Sequence, residues 1–133
     1  MPGMNTHEQA ARVFTREKLD ELFPPERSDE FFDAMYGDAA EGAYDIRLVF
    51  QSAEPKSLRF AFELHQRPGK CLACNLTYGL PQVFARHPLI NLKGLAGALG
   101  ALADWNAEET SFALGRTEER SPELHLIPLR IQR

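Results

Sequence analysis

Three stretches in which large apolar residues alternate with mostly polar ones constrain this chain more than any other feature. They cover residues 44–51, 58–65 and 71–78. A period of two is typical of a β-strand with one buried and one wetter face. The connections between the stretches, residues 52–56 and 67–70, are short and polar. The pattern therefore predicts a three-strand antiparallel meander.

Helical signals precede these strands. Thr6 begins a capping box that Gln9 completes, and apolar residues follow it at helical spacing. Thr15 and Ser28 are expected to cap two further helices, since both are good N-cap residues before apolar periodic runs. Gly37 is the expected stop of the last of them. The first third of the chain is therefore predicted to be helical.

Helical signals also follow the strands. Pro81 opens a short helical turn that Pro88 closes, because the residue before a proline avoids the helical region. Asn91 is expected to cap a longer helix, with its leucines on one stripe. Two short strands complete the pattern, one around Phe112 and one over residues 124–131.

Together these elements predict an α+β fold. It is an antiparallel sheet, a three-strand meander plus a C-terminal hairpin, with helices packed on one face. Residues 1–133 are expected to form a single domain, with residues 1–5 disordered. The expected core is Leu48, Phe50, Phe60, Phe62, Leu64, Leu76, Leu95, Leu99 and Leu102. The expected polar face of the sheet is Asp45, Arg47, Arg59, Glu63, His65, Asn75 and Thr77.

The last strand suggests a route to self-association. Pro128 lacks a backbone donor and so favours an edge strand or a bulge. Apolar residues up to Ile131 then point to both faces, whereas Arg130 and Arg133 are expected to protect the edge. Glycines at 94, 97 and 100 offer a second surface for close contact, within the chain or with another subunit. The sequence leaves two states open, a monomer and a weak homodimer.

Charge limits the classes of partner. The formal net charge is −4 and the sequence pI is about 5.6. Nucleic-acid-binding domains usually carry a basic footprint, so no nucleic acid is expected as a partner. The longest apolar-rich stretch is too short to span a membrane, and the N-terminus does not read as a signal peptide. The expected location is the cytoplasm.

The two cysteines, Cys71 and Cys74, allow three interpretations. In a continuous strand they point to opposite faces, which makes them ordinary cysteines with Cys71 the more reactive. A zinc site is the second interpretation, which requires Arg67 to Cys74 to form a knuckle loop and takes His65 and His87 as further ligands. Thiol–disulfide exchange is the third, because C-x₂-C is a redox spacing.

No segment carries a catalytic signature, so no catalytic residue and no cofactor is expected. The favoured hypothesis is a small cytosolic binding or interaction module without catalytic activity. Its partner would be an unidentified protein or small ligand. The turn centred on Pro68-Gly69 and the polar strand face supply the candidate binding residues, which are His65, Arg67, Lys70, Cys71 and Asn75.

The run Arg67-Pro-Gly-Lys-Cys-Leu-Ala-Cys-Asn-Leu-Thr-Tyr-Gly-Leu-Pro-Gln-Val-Phe84 resembles a segment of a small uncharacterised bacterial protein family. Residues 23–32 strengthen the resemblance. It implies a bacterial cytosolic origin and no activity. Some members of that family carry a homeobox-type label, which does not fit this acidic, strand-rich chain.

Overall fold

The computed structural model describes residues 6–38, 42–71 and 79–133. Its elements in chain order are helices α1 (Thr6–Val13), α2 (Arg16–Leu22) and α3 (Arg27–Tyr36), strands β1 (Tyr44–Glu54) and β2 (Ser57–Gln66), helices α4 (Leu80–Arg86) and α5 (Leu92–Leu102), a 3₁₀ helix (Ala107–Glu109), and strands β3 (Ser111–Leu114), β4 (Glu118–Ser121) and β5 (Leu124–Gln132). Residues 1–5 and the predicted third strand lie outside the described residues.

The predicted fold class is confirmed: helices pack on an antiparallel sheet. The strand order is β1-β2-β5-β3, and β4 also pairs with β5. The sheet differs from the predicted meander in one respect. Strand β2 is paired with β1 on one side and with β5 on the other, so the predicted pairing of β2 with the next strand of the meander is wrong. The C-terminal strand β5 thus lies beside β2, where the short connections predict the next strand along the chain.

The core lies between the sheet and the helices. Phe62 is paired with Leu48 of β1 and with Ile127 of β5, and all three side chains are fully buried. Aromatic rings from the helices pack on this row, with Phe23 and Phe84 each 5.4 Å from Phe62. Of the predicted core, six residues are buried, namely Leu48, Phe60, Phe62, Leu64, Leu95 and Leu99. Phe50 and Leu102 are partly buried against it, and Leu76 is outside the described residues.

Several predicted caps are confirmed. The Thr15 side chain accepts a hydrogen bond from the Lys18 N–H, and Asn91 accepts one from Gly94. Gly37 ends α3 with a left-handed φ of 79°. The predicted cap at Ser28 is wrong, because α3 already begins at Arg27 and the Ser28 hydroxyl bonds elsewhere.

Ser28 serves the edge of β1 that faces away from β2. Its Oγ accepts a hydrogen bond from the Ile46 N–H at 2.8 Å and donates one to the Ile46 carbonyl at 3.4 Å. Arg16 of α2 donates to the Leu48 carbonyl on the same strand. Side chains of α2 and α3 therefore satisfy backbone groups that an exposed edge would offer to another chain.

The prediction that Pro128 marks an edge strand is wrong, whereas the alternative of a bulge fits the irregular pairing beside it, where residues 114–118 lie opposite residues 126–129. Strand β5 lies between β2 and the β3–β4 side. The Pro128 carbonyl accepts a hydrogen bond from Gly115, in the break between β3 and β4. Because the nitrogen and carbonyl of one strand residue point to the same side, the donor that proline lacks would also point at this break. A proline is thus tolerated in a central strand.

The same finding removes the argument for self-association through β5. Ile131 is fully buried in the core, so it presents no edge to a second copy. Of the helix glycines, Gly100 has an internal explanation and Gly97 has none. A Cβ on Gly100 would lie 3.2 Å from the Thr110 hydroxyl, whereas one on Gly97 would meet nothing within 4 Å. No helix in the described part of the chain is long and apolar enough to cross a membrane.

Candidate functional site

The face of the sheet opposite the core carries the charged side chains of β1, β2 and β5. We call it the outer face, and its charged members on these strands are Asp45, Arg47, Arg59, Glu63, His65 and Arg130. The predicted polar face is confirmed for the residues on β1 and β2. Asn75 and Thr77 lie outside the described residues. The strands hold these side chains on a rigid support, which is what a binding surface needs.

One half of the outer face is balanced in charge. Asp45 lies opposite His65, and Arg47 lies opposite Glu63. The His65 ring nitrogen Nε2 is 2.8 Å from a Glu63 carboxylate oxygen. At the edge of β1, a cavity of about 340 Å³ lies between this half and the helical segment that carries Asp20, Phe23 and Pro25. Acidic and basic groups here are matched to one another.

The other half is cationic. Arg59 of β2 lies directly opposite Arg130 of β5. A third arginine, Arg120, is held by Glu118 of β4 at 2.9 Å. These side chains line a groove of about 480 Å³, whose floor includes Pro128. We call it the arginine groove, defined by Gln51, Arg59, Glu118, Arg120, Pro128 and Arg130.

Two irregularities of the sheet shape this groove. The pairing of β1 with β2 shifts between Phe50 and Ser52, which leaves Gln51 as the extra residue of a β-bulge. On the opposite side, the break between β3 and β4 leaves a gap at Gly115, whose backbone also lines the groove. A regular sheet would be closed at both places.

The predicted binding residues that the structure describes have different surroundings. Arg67 has a structural role, since its guanidinium is 2.7 Å from Asp29 and 3.0 Å from Asp45 and lies 5.2 Å from the Phe32 ring. Lys70 is exposed and ends the predicted turn, in which Gly69 has a φ of 75°. His65 belongs to the balanced half of the outer face, and Asn75 is outside the described residues.

Arg67→Ala is expected to lower the free energy of unfolding by about 1–2 kcal/mol, because Arg67 links α3 to β1 through two carboxylates that are largely exposed. Lys70→Ala is the matched control, and we expect its effect to stay within about 0.5 kcal/mol. Urea denaturation of both variants checks this. Equal, small losses would show that the Arg67 ion pairs are too solvated to contribute.

The cysteine interpretation changes with the structure. Cys71 is disulfide-bonded, so the prediction of a reactive Cys71 thiol is wrong. Cys74 is outside the described residues. A zinc site would require a thiolate in place of this disulfide sulfur. His87, one of the two proposed histidine ligands, packs 4.9 Å from the Phe31 ring and accepts a hydrogen bond from Leu89. Within residues 6–38, 42–71 and 79–133, no three His, Cys, Asp or Glu side chains are grouped to hold a metal.

The arginine groove is the feature that sequence reasoning misses. Arg59 is on the predicted polar face, but Arg130 is predicted to protect an exposed edge and Arg120 is assigned no role. The alternation does indicate that Arg59 and Arg130 lie on the outer face, because each is one residue from buried apolar positions. Only the pairing of β2 with β5 brings them together, and that pairing joins residues far apart in sequence.

Comparisons with protein-family models, with curated proteins and with solved structures find no match to this chain. The family resemblance and the bacterial origin that it implies therefore stay predictions.

Proposed function

We propose that this protein is a small binding module without catalytic activity, and that its ligand binds on the outer face of the sheet. The observation that carries the proposal is the division of the sheet. Helices cover the core face, whereas the outer face keeps exposed charged side chains around concave surfaces.

The dimensions of the outer face support a small ligand. The groove on this face measures about 480 Å³, and the cavity at its β1 edge measures about 340 Å³. Small-molecule sites typically measure about 300–1,000 Å³ and combine an apolar lining with a few placed polar groups. Both regions have this mixture, since Phe23 and Ile46 line one of them and Pro128 and Leu129 line the other.

Chemical-shift mapping tests the proposal. The ¹⁵N-labelled protein is titrated with pools of small metabolites, and we expect shifted amides to lie on β1, β2 and β5 beside the outer face. Arg47→Ala should weaken the binding of the metabolites that cause these shifts. Arg12→Ala on α1, which removes an equal charge, should not. Hits confined to the helices would refute the assignment to the outer face.

The disulfide at Cys71 favours a second candidate, the thiol–disulfide exchange that the C-x₂-C spacing indicates. In unreduced protein we expect Cys71 to resist alkylation by iodoacetamide and to become alkylated after treatment with dithiothreitol. Peptide mass spectrometry measures both states. Full alkylation of Cys71 without reductant would contradict the disulfide.

The cytoplasm remains our proposed location, and it bears on the second candidate. Thiols of cytosolic proteins are normally kept reduced, and the disulfides that do form there are usually transient. Alkylation of Cys71 in intact cells before lysis therefore distinguishes a lasting disulfide from one that is reduced in the cell.

A further inference from the structure

We propose that the arginine groove binds the phosphate group of a small molecule, with that group held between Arg59 and Arg130. This inference rests on the proposed function and names the ligand chemistry of its site.

The pairing of Arg59 with Arg130 is unfavourable without an anion. The two residues are directly opposite on adjacent strands and point to the same face. Side chains in such positions begin about 4.5–5.5 Å apart, and like charges there destabilise a sheet. An oxyanion between the two guanidinium groups reverses the sign of this interaction, because each can donate charge-assisted hydrogen bonds to it.

Three other arginines already have partners within the protein. Arg67 has two aspartates, Arg16 has Asp20 and the Leu48 carbonyl, and Arg133 donates to the Pro55 carbonyl and covers the Trp105 ring at 4.8 Å. The side chains of Arg59 and Arg130, in contrast, have no hydrogen bond or ion pair with any residue in the described ranges. Their donors remain available to a ligand.

The charge of the groove fits a phosphate. Three arginines and one glutamate line it, which gives a formal charge of +2 in a chain whose net charge is −4. A phosphate monoester carries about −1.5 to −2 at neutral pH and offers three acceptor oxygens, whereas a single carboxylate carries about −1. Gln51 and Gln132 at the rim can donate further hydrogen bonds to the body of the ligand.

Glycerol 3-phosphate, glycerol and succinate are the probes. Isothermal titration at constant ionic strength measures their affinities for wild type, Arg59→Gln, Arg130→Gln and the control Arg86→Gln, which removes an exposed arginine from α4. We expect glycerol 3-phosphate to bind and glycerol not to bind. Each groove variant should lower the affinity for glycerol 3-phosphate at least about tenfold, because charge-assisted hydrogen bonds are lost. The control should lower this affinity less than about twofold.

The variants also have a readout that does not need the ligand. Loss of either arginine removes the repulsion, so both groove variants should melt at a higher temperature than wild type in ligand-free buffer. Lower melting temperatures for both would overturn the proposal, because the arginines would then be structural. Succinate binding as tightly as glycerol 3-phosphate would overturn the phosphate assignment.

Failure of this inference is distinguishable from failure of the proposed function. If metabolites shift amides on the outer face but glycerol 3-phosphate does not bind, the binding module stands and the phosphate site falls. If glycerol 3-phosphate binds equally to all four proteins, the arginine groove is not its site.

Discussion

Phe62→Ala is expected to lower the free energy of unfolding by about 3–5 kcal/mol, the range for a fully buried phenylalanine. Phe62 is at the centre of the sheet, between Leu48 and Ile127, with no exposed surface. Two rings from separate segments, Phe23 and Phe84, pack edge-on against it. Because four segments converge on this side chain, collapse of the surroundings cannot fill the space that alanine leaves.

Phe112→Ala is the matched control for that variant. Phe112 is on the edge strand β3 and is 37% exposed, so the same truncation should cost less than about 1 kcal/mol. Guanidinium denaturation with a common slope measures both variants. Similar losses of unfolding free energy for the two variants would show that the core is not centred on Phe62 of β2.

Ser28→Ala is expected to cost about 1–3 kcal/mol, which is large for the loss of one hydroxyl. The Ser28 side chain is fully buried, and its Oγ satisfies both the N–H and the carbonyl of Ile46. Alanine leaves these two backbone groups without their partner and away from water. The better helix propensity of alanine at this position in α3 offsets less than about 0.7 kcal/mol of the loss.

Ser111→Ala provides the comparison, since Ser111 is exposed at the start of β3 and should tolerate the change within about 0.5 kcal/mol. Hydrogen exchange of the Ile46 amide gives a local readout. We expect this amide to exchange faster in Ser28→Ala than in wild type. Unchanged exchange together with unchanged stability would mean that Ser28 does not protect the edge of β1.

The local features of this fold follow from the sequence because short-range physics determines them. Alternation over residues 44–51 and 58–65 predicts β1 and β2, and the hydroxyl and amide caps at Thr15 and Asn91 predict helix starts. The turn at Pro68-Gly69 follows from the left-handed conformation that glycine permits.

Strand order does not follow in the same way. Alternation says which side chains of one strand share a face, but not which strand lies beside it. Residues 124–131 also have apolar residues two apart, with a shift of phase between Leu126 and Ile127, and only the complete core selects β5 as the neighbour of β2. The position of Pro128 is mispredicted for the same reason, since a proline is tolerated in β5 only because it faces the break between β3 and β4.

The candidate site is non-local for the same reason. Arg67 is attractive from sequence because it flanks an exposed turn, yet its partners Asp29 and Asp45 come from two other elements. Arg59 and Arg130 form a pair only once β2 and β5 are aligned. Which charged side chains neutralise or repel one another across a sheet cannot be predicted before the register of the strands is known.

The most direct test of our account is urea unfolding of wild type and Arg130→Glu, each with and without glycerol 3-phosphate. Without ligand we predict that Arg130→Glu is more stable by about 1 kcal/mol, because an ion pair with Arg59 replaces a repulsion. With ligand at a hundred times its Kd, wild type should gain about 2.7 kcal/mol and Arg130→Glu should gain almost nothing. A less stable Arg130→Glu, or a wild type that the ligand does not stabilise, would contradict a phosphate site on the outer face.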